Sequence, residues 1–281
     1  MDEGGISPDG DSGLRSGAGT YAAGPSPGQR VVGLAGSPNF RDAGGYAAGP
    51  DGRMHWGRLF RSGHLACLTE EDRERLAALG LDLVIDLRRA DERDLEPSAL
   101  PGGIAVHGAA ITPGSQASAI YADSMQLGGA GAMFEFMCDI NREFVRSQTE
   151  TYREAFAALL DSGAERVLVH CSAGKDRTGF AIAMLQCALG VAVEDIRADY
   201  LLSRRYFLPE EQLDPLRAKY AVDHLSDEDL LPMMHADPAY LQAAFAAIDE
   251  SWESRDAYLR HGLGLADAER RELRRRFVRG R

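Results

Sequence analysis

The chain has 281 residues, with 31 lysines and arginines against 43 acids, a net charge of -12 and 44% hydrophobic residues. That length can bury one full core, and the acidic balance argues against a nucleic-acid partner, whose phosphates are gripped by an excess of Lys and Arg. Four scattered cysteines form no Cys-x-x-Cys pair, so neither a zinc site nor a disulfide framework is expected, and no metal or other cofactor is called for. No run approaches the roughly 18 apolar residues of a membrane span. The N-terminus lacks a basic start followed by an apolar stretch, so no Sec leader is expected. The expected location is the cytoplasm, or outside the cell by a leaderless route.

In chain order, residues 1–30 are rich in Gly, Ser and Pro and read as a disordered tail, leaving 31–281 as one catalytic domain. Asn39 to Tyr46 is turn-rich, its Gly44-Gly45 pair needs permissive backbone, and Asn39, Arg41 and Asp42 read as a hydrogen-bonded clasp. Thr69 to Leu79 predicts a helix with Thr69 as its cap and acids in its first turn. Strands are predicted at Asp82–Leu87 and Ile104–His107. Helical insertions follow near 112–150 and 205–245. In the first, Met133, Phe134, Phe136, Met137 and Ile140 form an apolar face behind Gly128-Gly129-Ala130-Gly131, which suits either core packing or a lid over the site. Arg166–Val169 is a short buried strand, and Phe180 to Leu189 continues as an apolar helix closed by Gly190. The last predicted helix, Ala266–Val278, carries Arg274, Arg275 and Arg276 near its C-terminus. Strands alternating with helices indicate an α/β fold with a mostly parallel central sheet flanked by helices, whose strand-end loops meet in one crevice.

Between that last strand and its helix lies His170-Cys171-Ser172-Ala173-Gly174-Lys175-Asp176-Arg177-Thr178-Gly179. A strand-to-helix loop gathers free backbone NH groups at the positive end of a helix dipole, and five residues between Cys171 and Arg177 suffice to wrap a tetrahedral oxyanion. The field that attracts phosphate also favours thiolate, which makes Cys171 the expected nucleophile. Ser172, Ala173, Gly174, Lys175, Asp176 and Arg177 are the expected phosphate-binding residues. Arg177 offers a planar fork that holds two oxygens while keeping its charge. Thr178 is placed to hydrogen-bond the departing sulfur, and His170 supports the loop. Cys67, Cys138 and Cys187 read as packing. Gly174-Lys175 also resembles the core of a nucleotide-binding loop, but Asp176 follows the lysine and no glycine stands five residues before Gly174.

Expelling an alkoxide or phenoxide needs a proton donor. Asp176 and Asp86 are the candidates, with Asp91 behind them. A phosphate beside Asp176 disfavours its carboxylate form, which suits it to donate. Asp86, at the end of its strand as Cys171 is at the end of another, could instead pair with Arg88 or Arg61. Lys175 and Lys219 are the only lysines among the 31 basic residues. At the loop rim, the Lys175 ammonium could meet a second phosphate or a non-tyrosyl headgroup.

The segment His170–Thr178 resembles the HCxxGxxR[ST] signature of the cysteine-dependent protein tyrosine phosphatases. HCSAGKDRTG is similar to their atypical bacterial branch, of the secreted tyrosine phosphatase B type, which is related to phosphatases of dual or triple specificity for tyrosine and lipid substrates. Asn39–Tyr46, Leu59–Gly63, Val84–Arg88, Tyr200–Ser203 and Tyr258–Leu265 are similar to further segments of that branch, so the resemblance spans Val31 to the C-terminus. It implies hydrolysis of phosphotyrosine through a cysteinyl-phosphate, with phosphoserine, phosphothreonine and phosphoinositides as further substrates. The expected partners are therefore a phosphorylated protein or a phosphoinositide. The mobile Trp-Pro-Asp loop of the better-known members is missing, so the acid is not assigned by resemblance. A dedicated lipid or inositol phosphatase is the alternative enzyme. A binding module without turnover would ordinarily lack the Cys or the Arg, and both are present.

Overall fold

The computed structural model describes residues 30–112, 129–207, 213–220 and 223–280. The predicted tail up to Gln29, Gly128 of the glycine run, and parts of both helical insertions lie outside them. The strands are β1 (Arg41–Asp42), β2 (Gly52–Met54), β3 (Leu59–Ser62), β4 (Leu83–Asp86), β5 (Ala105–Gly108), β6 (Val167–His170) and β7 (Val278–Gly280). Five form one sheet in the order β1-β3-β6-β4-β5, in which only β1 runs antiparallel. The expected α/β fold with a mostly parallel sheet is therefore what the chain adopts. β6 is central, and register sets Ser62, His170 and Asp86 side by side at one sheet end.

Strand alternation sorts the core. Leu59, Leu83, Ile85, Val167 and Val169 belong to the large cluster on one face, while Phe60, Val84 and Leu168 belong to a smaller cluster on the other. Helix α1 (Glu70–Leu79) covers the smaller cluster with Leu76 and Leu79. The predicted cap is present. Thr69 Oγ1 accepts from the Asp72 amide at 3.1 Å, Asp72 returns the bond to the Thr69 amide at 3.1 Å, and Gly80 closes the helix at φ 62°.

Helices α2 (Ala90–Leu95), α3 (Ala130–Arg146), α4 (Thr149–Asp161), α5 (Asp176–Leu189), α6 (Val193–Leu201), α7 (Ser203–Tyr206), α8 (Leu213–Tyr220), α9 (Asp227–Met234), α10 (Pro238–Ser251), α11 (Arg255–Ala257) and α12 (Asp267–Phe277) complete the described chain, with a π turn at Tyr258–Gly262. Most of them build the large cluster. Met133, Phe136, Met137, Phe144 and Val145 of α3 are buried there, with α3 packed on α9 and α10, so this stripe is core packing. The final predicted helix stops at Phe277. Val278–Gly280 peel away to pair with β2, and Arg276 turns inward to donate to the carbonyls of Leu159 at 2.9 Å and Leu160 at 2.7 Å at the end of α4. No helix among the described residues is long and apolar enough to cross a membrane.

Phe180, on α5, sits at the junction of Phe144, Tyr152 and Tyr258, with ring centroids 5.7, 4.9 and 6.4 Å away. It is fully buried. Phe180→Ala should therefore cost about 3–5 kcal/mol, measured as the loss of unfolding free energy in urea.

Candidate active site

Cys171, 2% exposed, follows the last residue of β6, and residues 171–175 turn directly into α5. Gly174 has φ 66°, and a Cβ there would lie 2.3 Å from the Ser62 carbonyl group, so only glycine lets the loop pass the end of β3. Each loop carbonyl is occupied from behind. Cys171 O lies 3.3 Å from His170 Nδ1, and Ser172 O accepts from the His64 amide at 2.8 Å. Asn39 Nδ2 donates to Ala173 O at 3.1 Å and to Gly174 O at 2.9 Å. Arg61 donates to Gly174 O at 2.8 Å and Lys175 O at 3.3 Å, and the Gly179 amide reaches Lys175 O at 2.8 Å. All peptides described are trans, so each NH points opposite the carbonyl before it. Carbonyls fastened on one side put the amides of residues 172–176 on the other, at the positive end of α5. Such a loop can hold a tetrahedral oxyanion beside the Cys171 sulfur.

The fasteners are themselves held. Arg61 and Asp199 form a buried ion pair at 2.8 Å, and Arg41 donates to the Asp199 carbonyl at 3.0 Å, to Ser203 Oγ at 3.2 Å and to Asn39 Oδ1. Asn39 takes φ 61° to reach the loop. Asn39 and Arg41 thus form a clasp on the loop, whereas Asp42 braces its own turn through the amides of Gly44 and Gly57. Burial pushes the Asp42 carboxyl up to about 6.

Arg177, at the second position of α5, meets a partner that the sequence reading did not identify. Glu92 grips it fork to fork, Oε2 to Nη1 at 2.7 Å and Oε1 to Nη2 at 3.1 Å. Ser172 Oγ donates to Glu92 Oε1 at 2.8 Å, and the Arg89 amide to Oε2 at 2.9 Å. Burial favours the neutral acid, but the hydrogen bonds and charge of Arg177 outweigh it, so Glu92 is held well below the usual carboxylate range. The available signal was position: Glu92 is the third residue of the helix that follows the Asp86-Leu87-Arg88 strand end, where an acid closes a capping box.

Three expectations need correction. Asp86 does not face the loop as a spare acid, because Arg88 binds it through Nε at 3.0 Å and Nη2 at 2.8 Å, with His170 Nε2 at 3.4 Å. Burial raises that carboxyl, but His170 and Arg88 together hold it far below its ordinary range. Asp91 lies at the surface, paired with Arg89 at 2.8 Å. Lys175 is not a rim residue. It is 1% exposed, and its ammonium donates to the carbonyls of Met233 at 2.6 Å and His235 at 2.9 Å at the end of α9. Asp176 stands at the first position of α5, with Oδ2 3.2 Å from Lys175 Nζ and Oδ1 accepting from Tyr200 at 3.2 Å. Thr178 Oγ1 is buried and has no hydrogen-bond partner among the described residues, the Cys171 sulfur included. No cluster of metal-binding side chains occurs among the described residues.

The family model described as the tyrosine phosphatase family matches residues 32–279. The chain belongs to the tyrosine phosphatase family. A Cupriavidus necator protein whose name places it among the tyrosine-protein phosphatases is 37% identical over 236 residues, covering 83% of this chain and 84% of that one. The triple specificity protein phosphatase PtpB of Mycobacterium tuberculosis is 31% identical over 275 residues, covering 84% of this chain and 94% of its own. The core catalytic domain of the PP-IP phosphatase SIW14 from S. cerevisiae is similar at 14% identity and a TM-score of 0.31, over 59% of this chain and 89% of that one. The resemblance carried by the Cys171–Arg177 loop is thus matched by membership along nearly the whole chain. This member of the family is a phosphatase.

Glu92→Gln should lower kcat/KM by about a hundredfold, since an arginine released by even an ångström loses its aim, and should cost about 3 kcal/mol in stability by stranding Arg177. A carboxyl held low in the fold stabilises it above its unfolded pKa of about 4.3, and that stability is lost as pH falls toward the folded value. Wild type should therefore lose stability below about pH 5 more steeply than Glu92→Gln, checked by urea unfolding across pH 3 to 7.

Proposed function

We propose that the protein hydrolyses phosphoric monoesters, phosphotyrosine first among them, through a cysteinyl-phosphate on Cys171. The observation that carries this reading is the loop whose carbonyls are all fastened, leaving five consecutive amides for the equatorial oxygens of a phosphoryl group, with the Arg177 guanidinium held beside them by Glu92. Sulfur attacks phosphorus in line and the bond to the leaving oxygen breaks, that oxygen taking a proton from Asp176. Water then attacks phosphorus, giving a proton to the Asp176 carboxylate, sulfur departs, and inorganic phosphate is released with the thiolate and the acid both restored. Thr178, whose buried hydroxyl has no partner among the described residues, donates to the departing sulfur.

Asp176 is the donor because the other acids near the loop are spoken for. Asp86, Glu92 and Asp199 are each bound to a buried or half-buried arginine. Among the described residues Asp176 pairs with Lys175 alone of the cations, and the dianion of a bound phosphate both draws that ammonium and opposes a second negative charge beside itself. Substrate breadth is supported by similarity to a phosphatase named for triple specificity, which keeps phosphoserine, phosphothreonine and phosphoinositides as further substrates. The lipid or inositol preference that a rim Lys175 would have suggested gains no support, since the ammonium is turned onto α9. The phosphorylated substrate is the one partner proposed.

Cys171→Ser should abolish vanadate-sensitive release from p-nitrophenyl phosphate while phosphate ligands still bind; substantial residual turnover would put the nucleophile elsewhere. Rates on a phosphotyrosine peptide, a phosphoserine peptide and a phosphoinositide panel, measured side by side, should be highest on the first. Asp176→Asn should slow phenyl phosphate, a poor leaving group, by about 10²-fold or more and p-nitrophenyl phosphate far less. Asp86→Asn should show no such selectivity and should instead unfold more easily, with Arg88 left unpaired in the interior.

A further inference from the structure

We infer that Tyr200 is the positioning residue for Asp176, fixing which carboxyl oxygen faces the leaving group, and that residue 179 is glycine because this tyrosine must lie across the start of α5. The inference deepens the acid reading of Asp176 and rests on it. Tyr200 lies near the end of α6, which packs on α5, and is 1% exposed. Its ring crosses Gly179 so closely that a Cβ there would stand 2.7 Å from both Cδ2 and Cε2. A side chain at 179 would push the ring off. Held there, the phenol donates to Asp176 Oδ1 at 3.2 Å, while Oδ2 stands 3.2 Å from the Lys175 ammonium.

The need for such a brace follows from where Asp176 sits. An aspartate in the first turn of a helix can fold back onto the free amides beside it, the same local bonding that makes this residue type a good cap. Folded back, the carboxyl would compete for the very NH groups that the loop offers to phosphate, and its proton would point away from the ester oxygen. Tyr200 occupies Oδ1 and so keeps the carboxyl extended, leaving Oδ2 as the oxygen that exchanges a proton once substrate engages Lys175. The phenol is suited to this. Burial first, and then the charge of Asp176, push it well above its ordinary value, so it stays a neutral donor throughout the working pH range. Asp176 is thus approached from α6 by a neutral donor and from its own loop by a cation that an incoming anion can attract.

The test is Tyr200→Phe in the full-length chain, which keeps the ring and removes only the hydroxyl. We expect kcat on phenyl phosphate to fall about tenfold, the scale of one hydrogen bond orienting a proton donor, while p-nitrophenyl phosphate changes less than about twofold. In an Asp176→Asn background, Tyr200→Phe should add no further loss on either substrate, because the group it positions is gone. Equal losses on both leaving groups, no loss on either, or a loss that persists beside Asp176→Asn would each overturn the inference, the first by marking Tyr200 as packing only. The acid reading fails separately: Asp176→Asn alone without leaving-group selectivity would overturn that reading and this one with it. Gly179→Ala should reproduce the selective loss by displacing the ring. If that variant does not fold, Tyr200→Phe still decides the matter.

Discussion

A strand-to-helix loop becomes an anion cradle only if its peptide groups are turned the right way, and here that turning is imposed from outside the loop. Asn39, Arg61 and the His64 amide take the carbonyls of residues 172–175, and because the peptides are trans the NH groups have no choice but to face the other side. An unbonded carbonyl could rotate toward the anion and repel it. Two segments far from the loop in sequence, Asn39 to Arg41 and Arg61 to His64, therefore matter to the site without contributing a group that touches substrate. β1 and β3 are paired with each other, and β3 runs beside β6, which is how the sheet delivers both to the back of the loop.

The cost of this arrangement is buried charge. Arg41, Arg61 and Arg88 are all essentially inaccessible, and removing a guanidinium from water is repaid only by close partners. Arg88 is repaid by Asp86. Arg61 is repaid by the Asp199 carboxylate, whereas Arg41 has only neutral acceptors among its hydrogen-bond partners in the described residues, the Asp199 carbonyl, Asn39 and Ser203. Burial, together with the like charge of Arg61, pulls Arg41 down to about 9. The block behind the loop thus carries excess positive charge in a region of low dielectric, and an anion held in front of it offsets part of the desolvation cost.

Much of the fold was legible because it rests on local rules. The capped helix at Thr69, the strand at β6 and the glycine closure of α5 at Gly190 all follow from side-chain periodicity and end signals. Cys171 and Arg177 were legible because chemistry demands their spacing. What sequence could not supply was pairing across distance. For Asp86 the sequence left a free strand-end acid and a pairing with Arg88 or Arg61 both open, and the structure takes the Arg88 pairing. Neither the helix α2 nor Glu92 was singled out from the sequence, and only the packing of α2 beside the loop makes Glu92 the anchor of Arg177. Tyr200 opened a segment noticed for resemblance alone and Asp199 was not singled out, their roles being set by the packing of α6 on α5.

The lysine at residue 175 has a physical account in the same terms. Every other basic residue but one is arginine, and at residue 175 an arginine would not serve. The carbonyls of Met233 and His235 lie at the open C-terminal end of α9, where acceptors are left over and the dipole favours a cation. Asp176 approaches the same point from the loop. Three acceptors converge from different directions on one position, a geometry matched by the three rotatable donors of a compact ammonium and not by a planar fork. The ring of Tyr240, 5.9 Å away, adds a further weak attraction. Lys175 thereby ties the loop to the end of α9.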